Sequence, residues 1–182
     1  MARSGETRAH PRLRVRVAVG GSARAQVATG LSVLDHLLSL LAEYGDFELS
    51  LEVEPGSAAD EVTAAGRALG EAFADRIRRE GARGHGSAAV PADEALAHVA
   101  LEASASPLVV SNADLSAAHV AGLGTDVVRD FLQELAEGAG LTLHVRLIEG
   151  SDPQHVLAAI FKALGVALAQ ACRPRSRREE HG

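Results

Sequence analysis

The sequence predicts an α+β fold made of a duplicated half-domain, in which each half is a β-sheet of three to four strands with two helices packed on one face. Residues 37–49 recur as residues 131–143, an offset of 131 − 37 = 94 positions, and each copy combines an apolar helical pattern, a glycine and a strand-like run. At the same offset, residues 61–65 and 155–159 open two further helices rich in Ala and Leu. Because this period is far longer than a solenoid repeat, it indicates that half of the domain has been duplicated.

One domain accounts for the whole chain. A length of 182 residues with 47% hydrophobic content is enough for one buried core, and no segment rich in Pro, Gly or Ser separates the halves. We expect a single domain over residues 1–182, made of two pseudo-repeats at about 10–82 and 83–172. Residues 173–182 carry a basic cluster and are expected to form a disordered tail, with binding of an acidic partner as the alternative.

The elements of the first half follow from alternation and from helical periodicity. Alternating apolar and polar residues predict strands, and five leucines spaced along one face predict a helix that Gly45 ends. A stretch rich in Ala, the best helix former, predicts the second helix. The predicted elements are strands at 13–19, 25–28 and 47–53 and helices at 31–44 and 58–80.

The second half repeats this order with one additional strand. Runs of strands followed by helices, rather than strict alternation of the two, favour sheets with helices on one face. The predicted elements are strands at 87–90, 97–103, 108–111 and 141–147 and helices at 126–137 and 154–172.

Composition excludes several classes of partner. A net charge of −6, the absence of Trp and a single Tyr provide neither a basic surface nor an aromatic platform for nucleic acid. With Cys172 as the only cysteine, no intrachain disulfide can form, which favours a reducing cytoplasm. The N-terminus has no apolar signal core, and no apolar run approaches the roughly 20 residues that span a bilayer. We therefore expect a cytoplasmic protein that binds neither nucleic acid nor membranes.

Four stretches resemble the imidazoleglycerol-phosphate dehydratase family. They are TGLSVLDHLL at 29–38, GSAAVPADEALA at 86–97, GLTLHVR at 140–146 and AIFKAL at 159–164. The first contains the Asp-His pair Asp35 and His36. Four ordered stretches at the expected intervals indicate common ancestry, although ancestry and fold do not by themselves establish activity.

The resemblance implies a fold, an assembly and a reaction. The implied fold is ribosomal protein S5 domain 2-like, and the implied assembly is a homo-oligomer, a twenty-four-subunit shell in which neighbouring subunits complete the active site. The family's reaction is the metal-dependent dehydration of imidazole glycerol phosphate in histidine biosynthesis. Two manganese ions are held by two His-His-x-x-Glu helix starts and by single histidines in the preceding helices, a set of imidazole and carboxylate ligands that suits manganese.

Most of the implied ligand positions are changed in this chain. Of the eight, only His36 and His155 carry the histidine of the family pattern. The other six positions are occupied by Ala59, Asp60, Thr63, Asp130, Gln154 and Ala158. Asp60 and Asp130 are possible carboxylate substitutes, so the metal candidates are His36, His155, Asp130 and Asp60, an incomplete set. We therefore expect manganese to be absent or substoichiometric.

The candidate catalytic residues are His36, His155 and Glu94. Glu94 lies beside Asp93 in the retained stretch 86–97, where a turn or interface role for this carboxylate pair is the alternative. His36 is alternatively a helix-boundary histidine without a chemical role. The resemblance also implies a proton-transfer glutamate at position 158, where the methyl group of Ala158 has no proton to transfer.

The groups that would bind the substrate phosphate are also reduced. Lys162 is retained, Ser106 stands where an arginine is implied, and Arg83 lies beside the next implied position at Gly84. Lys162 and Arg83 are therefore the candidate phosphate-binding residues.

Three functions remain open. The chain is a divergent dehydratase with one rebuilt site, a non-catalytic structural or regulatory subunit that co-assembles with a true dehydratase, or an enzyme of altered substrate. A general acid or base typically contributes about 10²- to 10⁴-fold to a rate, so the loss of several such groups removes most of an enzyme's advantage. The residues therefore favour a family homologue with weak activity or none.

Overall fold

The computed structural model describes residues 13–19, 23–54, 56–113, 119–120 and 123–175, with the backbone alone at 13–19, 119–120 and 123–126. Four helices are present in these ranges: α1 Ser32–Gly45, α2 Ala58–Ile77, α3 Thr125–Ala139 and α4 Pro153–Cys172. The strands are β1 Leu13–Val19, β2 Arg24–Ala28, β3 Phe47–Val53, β4 His85–Ala92, β5 Ala95–Ala103, β6 Leu108–Ser111, β7 His119–Val120, β8 Leu123–Gly124 and β9 Leu141–Glu149.

Every predicted helix and strand is present, and the α+β class is confirmed. The largest difference at a helix end is in α2, which is predicted to reach residue 80 but ends at Ile77. Arg78 is the C-cap and donates the last helical hydrogen bond, to the carbonyl of Ala74, and the chain then turns at Gly81, which has a φ of 80°. The sequence does not predict the β7–β8 hairpin, since strands of two residues are too short to show alternation.

The two main sheets share one topology. In the first sheet, with order β1-β3-β2, β1 is antiparallel and β2 parallel to the central β3. In the second, with order β4-β5-β9-β6, β5 is antiparallel and β6 parallel to β9. Strands β5, β9 and β6 thus correspond to β1, β3 and β2, with β4 as an additional edge strand.

Two helix pairs join the halves, α1 with α4 and α2 with α3, around one hydrophobic core. Glycine allows each pair to approach closely. A Cβ atom on Gly165 would lie 2.3 Å from the carbonyl oxygen of Leu41, and one on Gly70 would lie 2.4 Å from that of Leu135. Real Cβ atoms do not come this close, so the Ala-Leu-Gly sequence shared by α2 and α4 is a helix-packing feature.

Helix α4 lies in the core, with one face on α1 and another on β4 and β5. It is 20 residues long with a mean hydropathy of 1.6 in its most apolar window, which is enough to cross a membrane by length and composition alone. The expectation that no apolar run approaches this length is therefore wrong. Its apolar character has a packing cause, since 67% of that window is buried inside the fold.

The chain after α4 returns to the turn that precedes β4. Pro174 forms an isolated bridge with Ala82, and the Arg175 N–H donates to the carbonyl of Gly81 at 2.8 Å. The Arg83 N–H donates to the carbonyl of Arg173 at the same distance. The first three residues of the expected tail are thus paired with the body of the domain, and 176–182 lie outside the described residues.

Candidate functional site

A cavity of about 390 Å³ lies between α1, α4 and the turn that joins β4 to β5. Apolar side chains of the two helices form much of its wall. Its polar lining residues are Ser32, His36, Asp93, Gln154, His155 and Lys162. The structure therefore places His36, His155 and Lys162, which are far apart in the sequence, in one cavity of one chain.

The first turn of α1, which carries His36, is fixed by hydrogen bonds between Thr29 and Asp35. The backbone N–H and the hydroxyl of the fully buried Thr29 both donate to Oδ1 of Asp35, at 2.9 and 2.6 Å. Gly30 follows with a φ of 83°, a left-handed conformation that favours glycine. These contacts fix the first turn of α1 to the end of β2, and the exposed His36 lies next to Asp35 at the cavity.

His155 is held by Glu94 at the start of α4. One Glu94 oxygen accepts the N–H of Asp152 at 3.0 Å, and the other lies 2.5 Å from Nδ1 of His155. The bond from Asp152, followed by that from His155, lowers the pKa of Glu94 from 4.5 to about 2. The Glu94 hydrogen bond raises the pKa of His155. Since Asp93 Oδ2 also lies 3.5 Å from Nε2, the ring is flanked by two carboxylates.

Lys162 lies at the midpoint of α4, on the cavity. Its Nζ atom is 5.0 Å from the centroid of the Tyr44 ring, within the range of a cation–π contact. Tyr44 comes from the last turn of α1 and is 41% exposed. The two side chains thus bridge the paired helices α1 and α4.

Three candidate residues do not line this cavity. Asp60 belongs to the N-terminus of α2, where the Ser57 hydroxyl donates to its Oδ2 at 2.7 Å and its N–H donates back to Ser57 Oγ at 3.2 Å. Asp130 is exposed on α3. Arg83 precedes β4, where its Nε donates to Nε2 of His85 at 3.4 Å. Asp60 has a helix-capping geometry, and none of the three is brought together with His36 and His155.

Within one chain, the donors at the cavity are too few for a two-manganese centre. Across the part of the chain that the structure describes, no group of three or more His, Cys, Asp or Glu residues is arranged to hold a metal ion. Nδ1 of His155 is engaged by Glu94, while Gln154 and Ala158 line the cavity at positions where the resemblance implies histidine and glutamate. An octahedral ion needs more donors than this cavity supplies from one chain.

The sequence does not single out Asp93, which lines the cavity, or Tyr44, which contacts Lys162. Asp93 was grouped with Glu94 as a turn pair, and its approach to His155 depends on the tertiary fold. Tyr44 was predicted only as a helix end, and no spacing rule links it to a lysine in the other half. The available signal for this contact is the repeat itself, because it places Tyr44 and Lys162 on helices, α1 and α4, that have counterparts in the other half.

Comparisons with known proteins agree with this architecture. The family model of imidazoleglycerol-phosphate dehydratase matches residues 29–168. The imidazoleglycerol-phosphate dehydratase of Syntrophobacter fumaroxidans is 41% identical over 164 residues, covering 88% of this chain and 83% of that protein. The one of Acetivibrio thermocellus is 36% identical over 168 residues, covering 88% and 85%.

Solved structures agree as well. The crystal structure of the Staphylococcus aureus imidazoleglycerol-phosphate dehydratase superposes with a TM-score of 0.82 at 28% identity, covering 90% of this chain and 95% of that one. The corresponding Pyrococcus furiosus structure gives 0.79 at 25% identity, covering 92% and 95%. With the family model matching most of its length, this chain belongs to the imidazoleglycerol-phosphate dehydratase family.

Proposed function

We propose that this chain is a dehydratase homologue that binds a small anion in the α1–α4 cavity and carries out the metal-dependent dehydration weakly or not at all. The observation that carries the proposal is the α4 wall of the cavity. There Gln154 and Ala158 face the space where the family resemblance implies a histidine ligand and a proton-transfer glutamate. An amide binds divalent metals poorly beside imidazole, and a methyl group transfers no proton.

The remaining side chains suit binding better than conversion. Lys162 presents a positive charge, His36 offers an exposed imidazole, and the bonds between Glu94 and His155 hold that ring in one orientation. Loss of one acid-base group alone is expected to lower a rate by about 10²-fold or more. Because the missing metal ligands and the missing acid-base group serve the same reaction, the effects of their loss on the rate do not simply add.

The direct test measures metal content and turnover on the purified protein. We expect less than one manganese per chain and no dehydration of imidazole glycerol phosphate, and no growth when the gene replaces the dehydratase of a histidine auxotroph. Two tightly bound ions per chain or rescue of the auxotroph would contradict the proposal.

Restoring the α4 donors provides a matched comparison. The double variant Gln154→His, Ala158→Glu returns two donors to the cavity and should bind more divalent metal than the natural chain. The control Gln154→His, Ala158→Gln has the same shape at residue 158 but no carboxylate. Equal metal binding by both double variants would show that position 158 is not a ligand position.

We also propose that the chain assembles into a homo-oligomer or with an intact dehydratase. The supporting observation is the outer face of the second sheet, where Leu108, Val110 and Ile148 are 52%, 42% and 57% exposed. Register places Leu108 beside Thr142 and Val110 beside His144, so Leu108 and Val110 share the face of the sheet that points away from the helices. Exposed apolar clusters are typical of subunit interfaces.

Light scattering tests this assembly. We expect a large particle that Val110→Glu dissociates, whereas Glu48→Lys on the first sheet leaves it intact. A monomer at micromolar concentration would contradict the proposal. Mixing with an intact dehydratase, followed by separation by mass, distinguishes a homo-oligomer from a mixed one.

The third possibility is an enzyme of altered substrate. If the purified chain converts another compound while holding no metal, this possibility is supported and that of a non-catalytic subunit is rejected. A cytoplasmic location is part of the proposal and is supported by the single, half-buried Cys172.

A further inference from the structure

The duplication places two cations at equivalent positions in the fold. Helices α2 and α4 are each 20 residues long, and the tenth residue is Arg67 in one and Lys162 in the other. Each helix pairs with a helix of the opposite half, α2 with α3 and α4 with α1. These two residues lie 95 positions apart, one more than the offset that relates α1 to α3. The same 95 positions separate Gly70 from Gly165, whose Cβ atoms would meet Leu135 and Leu41 on the partner helices. Arg67 and Lys162 can therefore be compared as two versions of one position.

At the α2–α3 pair, the cation is neutralised within the chain. Arg67 Nε lies 2.8 Å from Glu134 Oε2, and a terminal guanidinium nitrogen lies 2.9 Å from Glu137 Oε2. Gly138 brings the helices into contact, because a Cβ atom there would lie 2.5 Å from the carbonyl oxygen of Arg67. At this helix pair, the positive charge of Arg67 is therefore neutralised by two carboxylates of the same chain, and the two helices are in direct contact.

At the α1–α4 pair, the positive charge of Lys162 is not neutralised by a carboxylate of the part of the chain that the structure describes, and a cavity lies beside it. At the offset of 94 residues that relates α1 to α3, Leu40 is the counterpart of Glu134 and Tyr44 is the counterpart of Gly138. Leu40 is apolar and lines the cavity, and the Tyr44 ring lies 5.0 Å from Nζ of Lys162. Among the described residues Lys162 forms no ion pair. An aromatic ring attracts an ammonium group through its quadrupole but supplies no anion that would compete with a ligand.

The composition singles out the same two residues. Of the 18 residues that are Lys or Arg, Lys162 is the only lysine, and Tyr44 is the only tyrosine of the chain. An ammonium group is a compact charge on a flexible stem, so its direction depends on what holds it, unlike the planar guanidinium fork.

We propose that Tyr44 is a positioning residue that holds the Lys162 ammonium group at the cavity and leaves its charge available to a small oxyanion. The inference rests on the proposed function, since it assumes an anion in the same cavity. It adds the residue that orients the cation and explains why one helix pair of the duplicated fold binds a ligand while the other is closed by ion pairs.

The first measurement observes the contact itself. Reductive methylation with ¹³C-formaldehyde labels only Lys162 and the N-terminal amine, because the chain has one lysine. We expect the Lys162 methyl resonance to show a ring-current shift in the natural chain and in Tyr44→Phe, and to lose it in Tyr44→Leu. Glu43→Ala, which changes the exposed neighbour of Tyr44, is the matched control and should leave the shift unchanged.

The second measurement titrates unmodified protein with inorganic phosphate by calorimetry. Lys162→Gln should abolish binding, Tyr44→Phe should keep it, and Tyr44→Leu should weaken it by about two- to fivefold, the factor that corresponds to a partly exposed cation–π contact. Tyrosine fluorescence provides a parallel signal in the natural chain, which has no Trp.

Two failures overturn the inference and can be told apart. If the shift is absent, or Tyr44→Phe loses phosphate as Tyr44→Leu does, Tyr44 does not position Lys162, and the cavity can still bind an anion. If the shift is present but the natural chain binds no phosphate, the proposed anion-binding function itself fails. Circular dichroism on each variant establishes that a loss is not caused by unfolding.

Discussion

Glu94 and Asp152 are joined by a hydrogen bond of 3.0 Å from the Asp152 N–H to a Glu94 oxygen, across the gap between the β4–β5 turn and α4. Glu94 thereby occupies the N-terminal region of α4, where a helix favours an anion, and still reaches His155 with its second oxygen. We therefore expect the anion proposed for the cavity to depend on Lys162 rather than on the end of this helix.

The Glu94 contacts predict an acid-sensitive component of stability. Its pKa is lowered from 4.5 to about 2, so between these values the unfolded chain binds a proton that the folded chain does not. Stability should therefore fall as the pH decreases from about 4.5 to about 2. Denaturant midpoints measured across this window should have a smaller slope in Glu94→Gln than in the natural chain. Glu48→Gln, at an exposed carboxylate of β3, is the control, and equal slopes in all three proteins would contradict the assignment.

The same pair predicts how His155 titrates. Its pKa is raised chiefly by the Glu94 hydrogen bond, so its stabilising contribution is present below about 6.5 and is lost as the pH rises through the folded-state value. Proton NMR of the histidine ring should show the pKa of His155 decreasing in Glu94→Gln. An unchanged titration in that variant would mean that the bond does not form in solution.

The connection between Thr29 and Asp35 predicts a stability cost. Thr29→Val keeps the shape of a fully buried side chain but removes the hydroxyl that donates to Asp35 at 2.6 Å. We expect the free energy of unfolding to fall by about 1.5–3 kcal/mol, the range for a hydrogen bond to a charged group, because the Thr29 N–H still donates to Asp35 in the variant. Urea denaturation measures the change, and Thr29→Ser, which keeps the hydroxyl, should lose less. Equal losses in both variants would place the effect in packing rather than in the hydrogen bond.

Close helix contact at Gly165 predicts that a side chain at this position lowers the free energy of unfolding. An alanine there would place its Cβ 2.3 Å from the carbonyl oxygen of Leu41, so α1 and α4 would have to move apart. Overpacking of this kind costs about 1–3 kcal/mol or more. Guanidinium denaturation of Gly165→Ala measures it against Gly56→Ala, whose Cβ would meet nothing closer than 4.0 Å. A neutral Gly165→Ala variant would refute close helix contact.

Cys172 is predicted to react slowly in the folded protein. Burial raises the pKa of its thiol to about 11, from an ordinary value of 9.0. Because the thiolate is the reactive form, a thiol reagent at pH 8 should modify the native chain about a hundredfold more slowly than the unfolded chain. Absorbance of the released chromophore follows both rates. Similar rates would show that the C-terminal end of α4 opens readily.

The sequence predicts the elements well because their signals are local. Alternation in β3 and the leucine face of α1 are each contained in a few turns or residues, and both elements lie within a residue or two of their predicted ends. The pairing of α1 with α4 and α2 with α3 has no such signal, since it depends on close contact at glycines such as Gly70 and Gly165.

The site is only partly predictable for the same reason. Family resemblance indicates His36, His155 and Lys162, and the fold brings these three to one cavity. It also suggests Asp60 as a carboxylate substitute, but Ser57 makes Asp60 part of a helix cap. Contacts such as Tyr44 with Lys162 join residues more than a hundred positions apart, where no periodicity connects them.

The exchange of helix partners between the halves has a consequence for the origin of the chain. A single half-length copy would leave the glycine-lined faces of both its helices open to water, with no partner helix to cover them. Two such copies, related by a two-fold axis, would close each other's cores in the arrangement that α1–α4 and α2–α3 have now. The present chain is in this sense a dimer joined by a peptide bond, and fusion freed one of its two matched helix junctions to change without the other.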